Sequence, residues 1–213
     1  MTENMHKPRI EHLLTNGVLM REAQGFEIEN NVWLIGDDKE VIIIDAAHDA
    51  KLIAEAVGKR TALGILLTHG HEDHINAALE TASLLDTQLY LHPDDLFLWR
   101  EIYTEDPDFS ISHGQEFHVA GVDLVSLHTP GHTPGSVSFA VKGEGVVFSG
   151  DTLFHGGPGA TRWEYSDFSQ IINSIQKELF ALHDDTLVLP GHGASTSVKA
   201  EKVQLESYIS RGW

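Results

Sequence analysis

The chain is read as an α/β protein of layered sheets with helices outside, on three observations. Apolar runs at 41–45, 63–68 and 186–189 are short and continuous, as in strands covered on both faces. Helical stretches alternate with such runs in both halves of the chain. A long run of strand-like segments lies between the halves.

In order, 31–36 and 41–45 flank an Asp-Asp-Lys-Glu turn, the pattern of a hairpin. Residues 50–58 are alanine-rich with helical spacing and end on glycine, a helix stop. A buried strand follows at 63–68, a helix at 75–85, a strand at 88–91 and a helix at 93–102. Strands are predicted at 116–119, 122–127, 136–141 and 146–148. Residues 167–182 form the clearest amphipathic helix, with Phe168, Ile171, Ile172, Ile175, Leu179 and Leu182 on one face. A last strand at 186–189 and a helix at 199–210 complete the chain. No repeat, low-complexity tract or linker divides it, so 1–213 reads as one domain.

Composition narrows the function. The 213 residues are 41% hydrophobic and 22% charged, ordinary for a globular chain. Lys and Arg total 14 against 32 Asp and Glu, a net charge of −18. That disfavours nucleic acid and anionic membranes, which need clustered cations. The chain has no cysteine, which excludes disulfides, thiolate ligands, iron–sulfur clusters and a cysteine nucleophile, and fits a cytoplasmic address. Residues 1–16 lack the apolar core of a secretory signal. The densest apolar runs fall far short of the roughly 20 residues that span a bilayer. A soluble protein is expected.

Histidine is abundant, at 14 residues. His6, His12, His113, His118 and His183 read as scattered surface or packing residues. The others cluster. His69-Gly70-His71-Glu72-Asp73-His74 stands at the exit of the 63–68 strand, at the carboxyl end where α/β layouts place their sites. His69 and His71 project to one side if the backbone is extended. The helical zinc-protease pattern is excluded, since Ile75 stands four residues after His71. Three further segments each follow a strand and carry glycine: Pro130-Gly131-His132, Ser149-Gly150-Asp151 and Pro190-Gly191-His192. Together they offer five imidazoles and two carboxylates, which suits two metal ions sharing a carboxylate better than one tetrahedral zinc.

The order His-x-His-x-Asp-His, then His, Asp and His over 69–192, resembles the metallo-β-lactamase-fold hydrolases, and within them the glyoxalase II-like group. The resemblance implies an αββα sandwich. It implies a first metal on His69, His71 and His132, a second on Asp73, His74 and His192, and Asp151 as the bridge, with Asp73 and Asp151 as catalytic carboxylates. Two divalent ions are the expected cofactors, zinc first, with iron or manganese also suited to these ligands. A hydroxide bridging two such ions would attack a carbonyl carbon, and a thiolate, with a conjugate-acid pKa of roughly 8.5, leaves without a dedicated general acid. Thioester hydrolysis is therefore the expected reaction.

Asp45 and Thr68, at strand ends, are placed to orient ligand histidines from behind. His48 is read either as lining the pocket or as a helix-start residue. The stretch 156–161 lacks the Gly-Lys-Ser/Thr ending of a phosphate loop and reads as a shaped loop bordering the site. His155, Arg162, Trp163 and Tyr165 are the candidate substrate contacts.

The likeness to glyoxalase II is incomplete. Only 213 − 192 = 21 residues follow His192, so the helical C-terminal domain of those enzymes is not expected. Their glutathione-binding lysine has no counterpart in Gly159-Ala160-Thr161-Arg162. The loop instead resembles a short actinobacterial branch associated with mycothiol, where S-formylmycothiol would be the substrate. The expected substrate is thus a small-molecule thioester of the S-acylmycothiol or S-lactoylglutathione type. A lactonase with the same dinuclear site is the main alternative. A mononuclear iron persulfide dioxygenase and a metal-binding module without turnover are the others. A homodimer is the expected assembly.

Overall fold

Strands that are apolar on both faces have to be covered on both faces, and that requirement sets the architecture. The computed structural model describes residues 8–21 and 24–212; His6 lies outside them. One sheet runs in the order β1 (Arg9–Arg21), β2 (Gln24–Gly36), β3 (Glu40–Ile44), β4 (Thr61–Leu66), β5 (Leu89–Leu91) and β6 (Phe109–Ser110). The other runs β7 (Glu116–Val119), β8 (Val122–His128), β9 (Val137–Val141), β10 (Val146–Gly150), β13 (Leu187–Pro190) and β14 (Thr196–Ser197). A two-stranded ribbon, β11 (Leu153–Phe154) with β12 (Gly157–Pro158), stands between β10 and β13 in sequence.

Alternate residues of each strand enter different cores. Trp33, Ile35, Ile42, Ile44 and Leu66 meet Val137, Phe139, Phe148 and Leu189 between the sheets. Val32, Leu34, Val41, Ile43 and Ile65 face outward, under Ile53 and Val57 of α1 (Ala50–Val57) and Ala78 and Ala82 of α3 (Ala78–Leu85). On the far side Val147 and Val188 lie under Ile171 and Ile172 of α5 (Phe168–Ser174) and Tyr208 of α7 (Leu205–Arg211). Three cores between four layers make an αββα sandwich. Each fully buried Ile or Leu contributes about 1.5–3 kcal/mol, so the two faces of these strands drive the layering together.

Several elements differ from the sequence-based expectation. The strand at 31–36 begins at Gln24 and pairs along its length with β1, from Arg9 opposite Gly36 to Arg21 opposite Gln24. No strand was predicted at 9–21. In that strand Leu14 and Val18 are exposed while Thr15 is buried, so polarity does not alternate with the pleat. The helix expected at 75–85 is split into α2 (Glu72–Ile75) and α3, because Ala77 N donates to Ala46 O across the fold instead of to its own helix. The helix at 93–102 is a 3₁₀ turn (Pro93–Asp95) running into α4 (Leu96–Trp99). The helix at 167–182 is α5 followed by wide π-type turns at Ile175–Leu179, where Phe180 N donates to Ile175 O. The last helix divides into α6 (Val198–Lys202) and α7. Among the described residues, no helix is long and apolar enough to cross a membrane.

Strand direction then gathers the chemistry. β10 and β13 are parallel, so Asp151 and His192 follow the same ends of neighbouring strands. β3 and β4 are also parallel, which brings Asp45 beside the loop that starts at Thr68.

Candidate metal centre

All seven candidate ligands meet at one edge of the sandwich. In the first group His69 Nε2 lies 3.0 Å and His132 Nε2 2.9 Å from His71 Nδ1. In the second, His192 Nε2 lies 3.1 Å from His74 Nε2 and 3.2 Å from Asp73 Oδ2. Asp151 stands between the groups. Its Oδ1 is 3.3 Å from His74 Nε2, and its Oδ2 is 3.5 Å from His132 Nε2 and 3.6 Å from His192 Nε2.

Each ring is oriented from behind. Asp45 Oδ2 accepts from His74 Nδ1 at 2.9 Å and from the Thr68 hydroxyl at 2.9 Å, and Oδ1 accepts from Thr68 N at 2.7 Å. Thr68 Oγ1 in turn lies 3.0 Å from His69 Nδ1. One buried carboxylate thus orients His74 directly and His69 through a hydroxyl. His132 Nδ1 donates to Ala160 O at 2.7 Å, and His192 Nδ1 to Glu29 O at 2.7 Å. Asn30 Nδ2 donates to Asp73 Oδ2 at 3.1 Å, while its Oδ1 accepts from His48 Nε2 at 2.8 Å. Asn31 and Trp33 both donate to Pro190 O, at 2.9 and 3.0 Å, fixing the loop that presents His192.

The two groups differ electrostatically. Burial, reinforced by the neighbouring imidazoles, holds His69 well below its ordinary pKa. Burial with His132 beside it pushes His71 down to about 3. Burial also lowers His132 despite the nearby Asp151. The first triad is therefore neutral, with lone pairs available. Burial opposes ionisation of Asp73 and Asp151, but His74 and His192 outweigh it and hold both carboxyls well below the usual range. The same pairing raises His74 and His192 against the effect of burial.

This donor set fits two cations. Asp151 Oδ1 is buried without a hydrogen-bond partner, an unsatisfied anionic oxygen 3.3 Å from His74 Nε2, while Oδ2 faces His132 and His192. Three imidazole nitrogens converge on one point in the first triad, where each already has its other nitrogen in a hydrogen bond. Converging lone pairs of that kind suit a divalent ion.

A cavity of about 1010 Å³ opens over the cluster. Arg162, Trp163 and Tyr165, the candidate substrate contacts, line it together with Phe154, Ile28 and Leu98. Trp163 and Tyr165 are nearly parallel, 8° apart, and Arg162 sits 4.7 Å over the Trp163 ring. Tyr165 OH lies 2.9 Å from His71 Nε2. His155 is a correction. It occupies the turn of the β11–β12 ribbon, where its exposed ring lies 3.6 Å from Glu201 instead of lining the cavity. His48 acts behind Asn30 and is not among the cavity-lining residues.

Glu29, Asn30, Asn31, Trp33 and Asp95 were not singled out from the sequence. An Asn-Asn pair at the head of an apolar strand is the one local signal that could have marked the first of these regions.

The site and fold define a class. Residues 26–192 match the family model of the metallo-beta-lactamase superfamily, and the chain belongs to that superfamily. It is 34% identical over 192 residues to the probable metallo-hydrolase YqgX of Bacillus subtilis, covering 83% of this chain and 91% of that protein. It is 31% identical over 191 residues to the hydroxyacylglutathione hydrolase GloC of Haemophilus influenzae, covering 82% and 90%. Among solved structures it resembles the BLEG-1 B3 metallo-beta-lactamase with a TM-score of 0.76 and 29% identity, covering 90% of this chain and 97% of that one. It resembles TTHA1623 in a di-iron-bound form with a TM-score of 0.72 and 28% identity, covering 88% and 96%. The protein is a metallo-hydrolase by family, with a His/Asp cluster suited to a dinuclear centre.

Proposed function

We propose that the protein hydrolyses the thioester of an acylated low-molecular-weight thiol, using two divalent ions held by His69, His71 and His132 and by Asp73, His74 and His192, with Asp151 between them. The observation that carries this reading is the pair of opposed triads beneath an open cavity. The likeness to GloC supports the thioester bond. Two bound ions would supply Lewis acidity, lowering the pKa of water and polarising an acyl carbonyl.

The chain's own residues do the rest. Asp45 fixes the tautomers of His74 and, through Thr68, of His69, so that their Nε2 lone pairs face inward. His71 turns Nδ1 inward, so its Nε2 carries the proton and donates to the Tyr165 oxygen. The Tyr165 O–H is then free to donate into the cavity. Burial pushes that phenol up to about 12, so it stays protonated at neutral pH. In this reading its O–H donates to the acyl oxygen as charge develops there. Arg162 supplies a cation on the cavity wall, and Trp163 a flat apolar surface for the thiol carrier.

Steady-state hydrolysis by zinc-loaded protein tests the reading. The panel is S-lactoylglutathione, S-formylglutathione, an acylated mycothiol, an acyl homoserine lactone and a β-lactam. Preference for one thioester by a factor of ten or more is expected. Turnover of the lactone or the β-lactam alone would replace the reading. Oxygen uptake with a persulfide by iron-loaded protein would replace it with a dioxygenase.

A further inference from the structure

We propose that Asp95 is a positioning residue for the first triad alone, a buried carboxylate that ties together the two loops carrying His69, His71 and His132. The proposal rests on the dinuclear reading above. Asp95 closes the 3₁₀ turn after β5 and is fully buried, 0% exposed. Its Oδ2 accepts from Gly70 N at 2.8 Å and from Thr133 Oγ1 at 2.7 Å, and its Oδ1 accepts from Gly135 N at 2.7 Å. Gly70 stands between His69 and His71, and Thr133 follows His132. One carboxylate therefore sets the separation of the two backbone segments from which all three imidazoles project.

The chemistry calls for an aspartate there. The three groups facing it are all donors, and two are backbone N–H groups that cannot invert. An asparagine in either orientation would turn its NH₂ against at least one of them. The approach is also too close for side chains on the partner loops. A Cβ at position 70 would stand 2.9 Å from Asp95 O, and one at 135 would stand 2.6 Å from Asp95 Cγ. Glycine at both positions is what this clamp needs.

The second triad is held by other groups: Asp73 by Asn30, His74 by Asp45 and His192 by Glu29 O. Among the described residues, Asp95's side-chain hydrogen bonds go to Gly70, Thr133 and Gly135, in the loops that carry the first triad. A general structural role would loosen both metal positions or the whole fold; a positioning role loosens one.

The test uses full-length protein stripped with chelator and titrated with zinc, read by calorimetry and by metal analysis after dialysis at fixed free zinc. Wild type is expected to take two ions. Asp95→Asn is expected to keep its far-ultraviolet dichroism and one ion at wild-type affinity, and to bind the other about 10–100-fold more weakly, the range for losing a group that orients ligands. Adding His192→Ala to Asp95→Asn should then abolish the remaining tight ion, placing it in the second triad. Two ions at wild-type affinity in Asp95→Asn, or equal weakening of both, would overturn the proposal. So would survival of the tight ion in the double variant. If Asp95→Asn does not fold, Thr133→Val, which deletes one of the three bonds, is read in the same way with a smaller factor. Wild type taking one ion would sink the dinuclear reading instead; the clamp then stands if Asp95→Asn weakens that ion and falls if it does not.

Discussion

Replacing Asp45 by asparagine should disturb both metal positions without removing a single heavy atom. Asp45 is 2% exposed and adopts φ 62°, a left-handed conformation that asparagine also tolerates. Three donors face it: Thr68 N, the Thr68 hydroxyl and the His74 Nδ1–H. The amide NH₂ cannot take the Oδ1 position, because Thr68 N–H cannot invert. It must take the Oδ2 position and donate to Thr68 Oγ1 and to His74 Nδ1. His74 then carries its proton on Nε2, facing His192 and Asp151, where a lone pair is needed. The Thr68 hydroxyl, now an acceptor from the amide, points its hydrogen at His69 Nδ1 and inverts that ring too. A wrong tautomer at one ligand weakens metal binding by about 10–100-fold, or about 1.4–2.8 kcal/mol. Because His74 and His69 belong to different triads, both ions should weaken. Zinc titration of stripped Asp45→Asn by calorimetry reads both steps, with the near-ultraviolet dichroism checking packing. Two wild-type affinities would refute the tautomer argument. Weakening of the second triad alone would refute the relay through Thr68.

Other outcomes follow from the same geometry. His132→Ala and Asp151→Ala should each lose turnover by several orders of magnitude and lower bound metal while leaving the fold intact; full activity in either would sink the assignment of ligands. Tyr165→Phe should keep two ions and lower kcat by about 10²-fold with KM little changed, the effect of deleting one donor to a developing oxyanion; an unchanged kcat would remove the phenol from the reaction. Arg162→Ala should raise KM for the preferred thioester far more than it lowers kcat, and unchanged kinetics would take Arg162 out of carrier binding.

The candidate ligand positions were legible because their pattern is local. Each ligand stands within a few residues of a strand end and a glycine, and the apolar runs that feed them are continuous because both faces are buried. Asp45 and Thr68 were legible for the same reason, as strand-end residues. What supports the other ligands was not. Asn30 and Asn31 belong to the inner half of a hairpin whose partner strand carries Leu14 and Val18 to solvent, so polarity there does not alternate with the pleat. Asp95 lies inside what reads as one helix, and its partners are 25, 38 and 40 residues away. The Ala160 and Glu29 carbonyls that hold His132 and His192 are backbone atoms, which no residue type announces. His155 was misread because proximity in sequence to Asp151 does not carry through the β11–β12 turn.

The supports divide the site in a way the ligand list does not. The Asp95 carboxylate bonds to the segments beside His69, His71 and His132, the neutral first triad. Asn30 and Glu29 O reach only the second, where carboxylates already face raised histidines. Among these supports Asp45 alone reaches both, through His74 and through Thr68 to His69. The first triad lacks a carboxylate of its own, so the rigidity of its loops must hold three imidazoles in register; the second has Asp73, whose charge attracts a cation even if the geometry relaxes. Loosening the first should therefore cost affinity steeply and loosening the second more gently. Asp95→Asn and Asp45→Asn bear on this together: the first should weaken one ion only, and in the second, where both ions weaken, the first-triad ion should lose the larger factor.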